Sequence, residues 1–152
     1  MRLSVTEYNA LLKQRGNVAH GRSGRGRRPA APKKYEEDAL QMSCIHWTSL
    51  NTKRYPLLEW MFHTPNGGRR NVLEAKRFKK MGVKPGVADL IIPFPSPGRT
   101  FPGLWLEMKS ATGALSREQL RWKVKAEKEG WLTAVVRDLD HYIEVVDAFM
   151  AA

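Results

Sequence analysis

Hydrophobic and polar positions along this chain follow two different periods, which predict an alternation of helices and strands. Apolar residues recur at helical spacing in four segments, and we expect helices at residues 35–53, 71–82, 116–130 and 138–150. Short apolar runs predict strands at residues 57–62, 87–92, 103–108 and 131–136. Since helices and strands alternate over most of the chain, their order predicts an α/β fold with a small mixed sheet flanked by helices.

Two of the predicted strands carry charged residues where a buried strand is normally apolar. Asp89 lies within the strand at residues 87–92, Glu107 lies near the end of the strand at residues 103–108, and Lys109 directly follows that strand. Side chains alternate faces along a strand, so Glu107 and Lys109 share a face, and Asp89 converges on it if the strands pair. Two carboxylates and a strand carbonyl suit a hard divalent cation, which stabilises charge on a phosphoryl oxygen and lowers the pKa of bound water. Lys109 would position that water or neutralise the developing charge.

Structural roles explain the same residues, and spacing alone does not decide between the two interpretations. The two carboxylates could simply lie at strand ends, with Lys109 as their salt-bridge partner. Taken alone, the pattern Asp…Glu-x-Lys is weak, and many soluble proteins would match it by chance. Glu37 and Gln41 share a helix face, but a charged first turn with an exposed amide accounts for them. Gln119 follows Ser116 by three residues, where a capping box accounts for it.

The charge of the chain points to a polyanionic partner. Lys and Arg number 26 against 15 Asp and Glu, which gives a net charge of +11 and predicts nucleic-acid binding. No long apolar span, signal peptide or basic amphipathic helix is evident, so we expect no membrane partner. The single cysteine, Cys44, excludes an internal disulfide framework, suits a reducing cytoplasm and is expected to be a buried structural thiol.

Most of the basic excess lies in residues 1–34, which hold nine basic residues and one acidic residue. We predict a short helix followed by a flexible basic arm rich in Arg and Gly, because the segment lacks apolar periodicity. The favoured role of the arm is non-specific phosphate contact, and a solvated linker is the alternative. The candidate contacts are Arg25, Arg27 and Arg28. Residues 35–152 are predicted to form the folded domain.

A second basic segment follows the first predicted strand. Its glycines would let the backbone approach a phosphate closely, although a simple surface turn is nearly as good an explanation. The candidate nucleic-acid contacts in this segment and the next helix are His63, Asn66, Gly67, Gly68, Arg69, Arg70, Lys76 and Lys80. For His63 we expect a position near the substrate and no metal, because no second ligand pair at useful spacing follows it.

Several motifs occur together in one order. They are Gly86-Val87-Ala88-Asp89-Leu90, Glu107-Met108-Lys109-Ser110 and Gly113-Ala114-Leu115-Ser116-Arg117-Glu118-Gln119, preceded by Glu37-Asp38-Ala39-Leu40-Gln41 and Pro65-Asn66-Gly67-Gly68-Arg69. The combination resembles the VRR-NUC family (virus-type replication-repair nucleases) of the PD-(D/E)XK nuclease superfamily. The resemblance covers residues 35–150 and excludes the basic arm. It implies a restriction-endonuclease-like core.

The resemblance also implies a Mg²⁺- or Mn²⁺-dependent phosphodiesterase. Asp89, Glu107 and the backbone carbonyl of Met108 would be metal ligands, and Lys109 would be the catalytic lysine. This chain has Ala88 where proline often precedes the aspartate in the family. Because the aspartate side chain supplies the chemistry, that departure leaves the implied activity in place.

Two helical residues also match family positions. Glu37 matches the acidic residue of the first helix that assists metal or water binding, with Glu36 as the alternative. Gln119 matches the glutamine on the helix after the catalytic strand, and this role and the capping role are about equally well supported.

By analogy with the family, we expect an endonuclease that hydrolyses phosphodiester bonds in branched or structured DNA, such as a Holliday junction, during replication, repair or recombination. We also expect a homodimer in the cytoplasm of a bacterium or a phage-infected host. The alternative is a basic nucleic-acid-binding accessory protein without catalysis, which explains the charge but not the spacing of Asp89, Glu107 and Lys109. A sequence-specific restriction enzyme is disfavoured, since 152 residues leave little room for a base-reading element.

Overall fold

A computed structural model describes residues 33–65 and 72–152 of the chain. The predicted N-terminal helix and nearly all of the basic arm lie outside this part, as do residues 66–71. The described elements are α1 (Lys33–Asn51), a 3-10 helix (Pro56–Trp60), β1 (Phe62–His63), α2 (Val72–Lys80), β2 (Leu90–Ile92), β3 (Leu104–Met108), α3 (Arg117–Lys128), β4 (Leu132–Val136) and α4 (Leu139–Ala151).

The four strands form one mixed sheet in the order β1-β2-β3-β4. The β1–β2 and β2–β3 pairs are antiparallel, whereas β3 and β4 run parallel and are joined through α3. All five residues of β3 are buried, so this strand is the centre of the domain. The prediction of an α/β fold with a small mixed sheet is confirmed.

Helices cover both faces of the sheet, and strand alternation decides which residues meet them. Leu104, Leu106 and Met108 of β3 point into the larger core cluster, which includes Cys44 of α1 and Phe149 of α4. On the opposite face, Trp105 packs in a smaller cluster with Ala126 and Trp122 of α3. Glu107 is two residues beyond Trp105 and therefore faces α3. The fold thus brings α3 over the charged end of β3.

The largest error of the sequence prediction concerns residues 57–62, which were expected to form a strand. A 3-10 helix occupies Pro56–Trp60, and only Phe62 and His63 pair with β2. Pro56 explains the difference, because its fixed φ suits the first turn of a helix and its nitrogen cannot donate to a ladder. The remaining helices and the strands β3 and β4 lie within two residues of their predicted limits.

Two smaller predictions are also settled by the fold. Cys44 is fully buried in the core, and burial raises the pKa of its thiol to about 12, which confirms a structural role. Among the helices described, none has the length and apolar character needed to cross a membrane.

Candidate active site

The backbone ladder between β2 and β3 stops where the charged residues begin. The last antiparallel pair joins Leu90 to Leu106. One step further, the Met108 N–H donates to Oδ2 of Asp89 at 2.8 Å instead of to a β2 carbonyl. On the other edge of β3, Lys109 N–H still donates to the carbonyl of Val136 at 2.9 Å. A side-chain carboxylate therefore replaces a backbone acceptor on one side only. We call Asp89, Glu107, Met108 and Lys109 the ladder end.

Glu107 and Lys109 form a buried ion pair at the ladder end. Lys109 Nζ donates to Glu107 Oε1 at 2.5 Å and to the Met108 carbonyl at 3.2 Å. The predicted salt bridge therefore exists, and it lies on the same face as the second carboxylate, Asp89. The pKa of Glu107 is raised to about 7, first by burial and then by the nearby Asp89 carboxylate, while Lys109 opposes both effects. The half-buried Asp89 and the buried Glu107 share a single lysine, so a further cation would be favoured beside the two carboxylates.

Gln119 serves two roles at once, which the sequence had presented as alternatives. Its backbone N–H donates to Ser116 Oγ at 3.1 Å, and its Oε1 accepts from the Ser116 N–H at 2.8 Å, so the predicted capping box is confirmed. Its Nε2 donates to Oε1 of Glu107. An amide has both a donor and an acceptor end, so one side chain caps α3 and binds the buried carboxylate.

The first helix contributes Glu37, not the alternative Glu36. Glu37 Oε1 accepts from the Ser110 N–H at 3.1 Å, immediately after the ladder end, whereas Glu36 is exposed. Gly113 keeps this corner compact, because a Cβ there would stand 3.1 Å from Glu37 Oε1 and 3.2 Å from Lys109 Cδ. Glu37 thus holds the turn that follows the lysine.

A glycine lets α3 approach the ladder end. Gly86 has a φ of +80°, and a Cβ at this position would lie 2.6 Å from the Cβ of Glu118 and 2.7 Å from the backbone N of Gln119. Such distances are too short for any side chain, so the first turn of α3 packs directly on the backbone before β2. This contact brings Gln119 within reach of Glu107.

A cleft of about 200 Å³ opens over these groups. Its lining includes Glu37, Asp89, Glu107, Lys109 and Gln119, so the structure brings together all five side chains of the predicted catalytic set. The chemistry of the donors fits Mg²⁺ or Mn²⁺, because both ions prefer oxygen and Mg²⁺ commonly uses only one or two carboxylates plus substrate phosphate. Within residues 33–65 and 72–152, no three His, Cys, Asp or Glu side chains form a metal-binding group. The donors at the cleft include the Asp89 and Glu107 carboxylates, the Met108 carbonyl and the Glu37 carboxylate, and their binding of a metal stays a prediction.

The predicted nucleic-acid contacts divide into three groups. Lys76 and Lys80 are exposed on α2, where they are available to a phosphate. His63 lies beside the site, and its Nδ1 is 2.8 Å from the Asp89 carbonyl oxygen. Residues Asn66, Gly67, Gly68, Arg69, Arg70, Arg25, Arg27 and Arg28 lie outside the described residues. Nucleic-acid contact stays a prediction for all three groups.

Sequence reasoning missed one residue that supports the site. Arg137 follows β4, and its Nη1 donates to the Ser110 carbonyl at 2.5 Å and to the Ala111 carbonyl at 3.4 Å. The guanidinium therefore anchors carbonyls of the turn after Lys109, whereas Glu37 binds the Ser110 N–H of the same turn. A basic residue directly after a buried strand was the available signal, but its partner could not be named without the parallel register of β3 and β4.

Comparisons with known proteins point to one family. No family model matches the sequence, and no curated protein does. Among solved structures, a chain described as a VRR-NUC domain protein aligns with a TM-score of 0.62 at 28% sequence identity. The alignment covers 76% of this chain and 88% of that chain, so it includes most of the described sheet and helices. The mixed four-stranded sheet flanked by helices is consistent with a PD-(D/E)XK-like core, and the similarity to that solved chain supports the predicted resemblance to the VRR-NUC family of nuclease domains.

Proposed function

We propose that this protein is a divalent-metal-dependent nuclease that hydrolyses phosphodiester bonds in DNA. The observation that carries the proposal is the ladder end, where Asp89 and Glu107 lie side by side with Lys109 on one face of the sheet. A purely structural role is a poor explanation for this arrangement. Lys109 pairs with Glu107, but the adjacent Asp89 carboxylate still raises the pKa of Glu107, and a bound cation or proton would relieve this repulsion.

The metal would be held by Asp89, Glu107 and the Met108 carbonyl oxygen. Mg²⁺ or Mn²⁺ bound there supplies Lewis acidity towards a phosphoryl oxygen and lowers the pKa of a bound water. Asp89 retains a second carboxylate oxygen for this purpose, because Oδ2 is the atom that accepts from Met108. The donor set is small, and in the proposal substrate phosphate oxygens and waters complete the coordination.

The remaining side chains would orient these groups. Lys109 donates to Glu107 and to the Met108 carbonyl, and in the proposal its ammonium group would neutralise negative charge that develops on the phosphate. Gln119 donates to Glu107 and restricts the rotation of its carboxylate. Glu37 and Arg137 hold the turn behind the lysine through opposite backbone groups of Ser110. The residue after Lys109 is therefore held through both its backbone N–H and its carbonyl.

The finer substrate proposal is branched or structured DNA, cut by a homodimer with one site for each of two strands. The net charge of +11 supports binding to a polyanion. Branch preference and dimerisation rest on analogy with the family. Assays should therefore compare a four-way junction with a linear duplex of the same sequence.

The decisive test replaces Asp89 by asparagine. Asp89→Asn keeps an oxygen to accept from the Met108 N–H but removes the negative charge, so folding should be retained while cleavage falls by about 10³-fold, equivalent to the several kcal/mol that a metal supplies. Cleavage of both DNA substrates would be measured with Mg²⁺, Mn²⁺ or EDTA. Glu36→Gln is the matched control, because it removes an exposed carboxylate next to Glu37 and should cut at the parent rate.

The second candidate function is a basic accessory protein that binds nucleic acid without cutting it. The net charge and the exposed lysines of α2 favour it. Tight, salt-sensitive DNA binding without cleavage in either metal would establish this alternative and reject the nuclease. Parent-level cleavage by Asp89→Asn would reject the assigned site instead.

A further inference from the structure

We propose that His63 positions the metal-binding Asp89, using its Nδ1 atom as a hydrogen-bond donor to the Asp89 main chain. The inference rests on the proposed nuclease function and adds a positioning residue to that site. It also assigns His63 a different primary role from the DNA contact that the sequence suggested.

The identity of the acceptor fixes the tautomer of the histidine. His63 Nδ1 is 2.8 Å from the Asp89 carbonyl oxygen. A carbonyl oxygen can only accept, so Nδ1 must carry the hydrogen and donate it. The same oxygen accepts from the Thr64 N–H at 3.0 Å, and Thr64 Oγ1 donates to the preceding carbonyl, that of Ala88. The end of β1 therefore binds two consecutive carbonyls through three donors.

Asp89 needs this anchor because it lies just outside the regular ladder. Strand β2 begins only at Leu90, and β1 contributes no more than two paired residues. The main chain of Asp89 is tied to β1, whereas its carboxylate is tied to Met108 of β3. A rotation of the peptide at residue 89 would move the carboxylate relative to Glu107. The histidine opposes that rotation through a side chain, in the region where backbone pairing is shortest.

A direct contact with DNA is the rival interpretation of the same residue. His63 is exposed, and an imidazole can bind phosphate through Nε2. The two roles use different ring nitrogens, and two amide side chains imitate them separately. The asparagine Nδ2 lies as many bonds from Cα as the histidine Nδ1, whereas the glutamine Nε2 has the reach of the histidine Nε2. A pair of substitutions therefore separates positioning from DNA contact.

The experiment measures Mn²⁺ affinity by calorimetry on the full chain without DNA, together with the melting temperature and cleavage. His63→Ala should weaken Mn²⁺ binding about tenfold, as expected for a residue that orients a metal ligand. His63→Asn should restore most of the affinity and the cleavage, and His63→Gln should resemble His63→Ala. Because the ring is exposed, all three variants should melt close to the parent protein.

The other outcomes overturn the proposal. Parent-like Mn²⁺ affinity in His63→Ala would show that the hydrogen bond does not position Asp89. If His63→Gln restored cleavage and His63→Asn did not, the role of His63 would be DNA contact through Nε2. If His63→Ala lowered the melting temperature together with the metal affinity, and His63→Asn restored neither, the role of His63 would be general stability. A parent protein that neither binds Mn²⁺ nor cuts DNA would instead refute the proposed function, which keeps the two failures distinguishable.

Discussion

The two neighbours of β3 hold it in opposite ways. On one side, β4 pairs with all five residues in parallel register, from Leu104 opposite Leu132 to Met108 opposite Val136, and the next N–H also finds a backbone acceptor. On the other side, β2 pairs with only three residues, and the ladder then gives way to the Asp89 carboxylate. One side is a continuous scaffold, and the other is interrupted where the ionisable groups collect.

The difference shows how a buried strand can carry charge. Each backbone donor at the charged end of β3 is still satisfied, but one of the acceptors is a side chain that also has oxygens for other partners. The regular β4 side keeps the strand in place, so the β2 side can lose a backbone bond without disorder. We therefore expect substitutions on the β4 side of β3 to change mainly the stability of the fold, and substitutions on the β2 side to change mainly the chemistry of the site.

A substitution on the regular side should produce the largest change in stability. Leu132 is fully buried opposite Leu104, and Leu132→Ala removes packing from the core and should lower the free energy of unfolding by about 3 kcal/mol. For a domain of this size, the melting temperature should fall by about 10 °C. Chemical denaturation and thermal melting would measure both changes.

The matched control is an exposed leucine on α2. Leu73 is 78% exposed, and Leu73→Ala should change the free energy of unfolding by less than about 0.5 kcal/mol. Well below the melting temperature, cleavage per folded molecule should be retained in both variants. If folded Leu132→Ala protein lost as much cleavage activity as Asp89→Asn, the two sides of β3 would not have the separate roles proposed for them.

The sequence predicted the regular side better than the interrupted side. Short apolar runs were enough to find β3 and β4, and the alternation of side chains along a strand placed Glu107 and Lys109 on one face. The start of β2 was predicted three residues early. The carboxylate of Asp89 competes there with a backbone acceptor, and this competition leaves no trace in the hydrophobic pattern.

Features that depend on how elements pack were harder to predict. Glu36 and Glu37 are adjacent, so only the rotation of α1 against the sheet could decide which one reaches the turn after Lys109. Gln119 looked like either a cap or a site residue, since sequence does not show that both ends of an amide are used. Arg137 was missed because its contact requires the register between two strands that are separated by a helix. In each case, tertiary geometry selects among chemically equivalent choices.

A pair of glycines tests how closely α3 must approach the interrupted side. Gly86 and Gly82 both have positive φ, so replacement by alanine strains the backbone by about 1 kcal/mol at either position. A Cβ at Gly82 meets nothing within 4 Å, whereas one at Gly86 would collide with Glu118 and Gln119. Gly86→Ala should therefore lower the free energy of unfolding by about 1 kcal/mol more than Gly82→Ala does.

The same pair should also differ in activity. Gly86→Ala displaces the first turn of α3, so the Gln119 amide would lose its position at Glu107 and cleavage should fall, whereas Gly82→Ala should cut at the parent rate. Denaturant unfolding and initial cleavage rates would be compared for both proteins. Equal effects of the two substitutions would mean that the close contact at Gly86 is unimportant for the site.

The smallest expected effect separates the two roles of Gln119. Ser116→Ala removes the side-chain oxygen that caps α3 and should lower the free energy of unfolding by about 1 kcal/mol, but it leaves the Gln119 donor to Glu107. Gln119→Ala removes half of the capping box and also the donor to the buried carboxylate, so a similar loss of stability should accompany an approximately tenfold fall in cleavage. Rates measured at matched folded fractions would reveal the difference. If Ser116→Ala reduced cleavage as much as Gln119→Ala, the cap alone would account for the glutamine, and the interrupted side of β3 would depend on helix stability and not on a specific bond to Glu107.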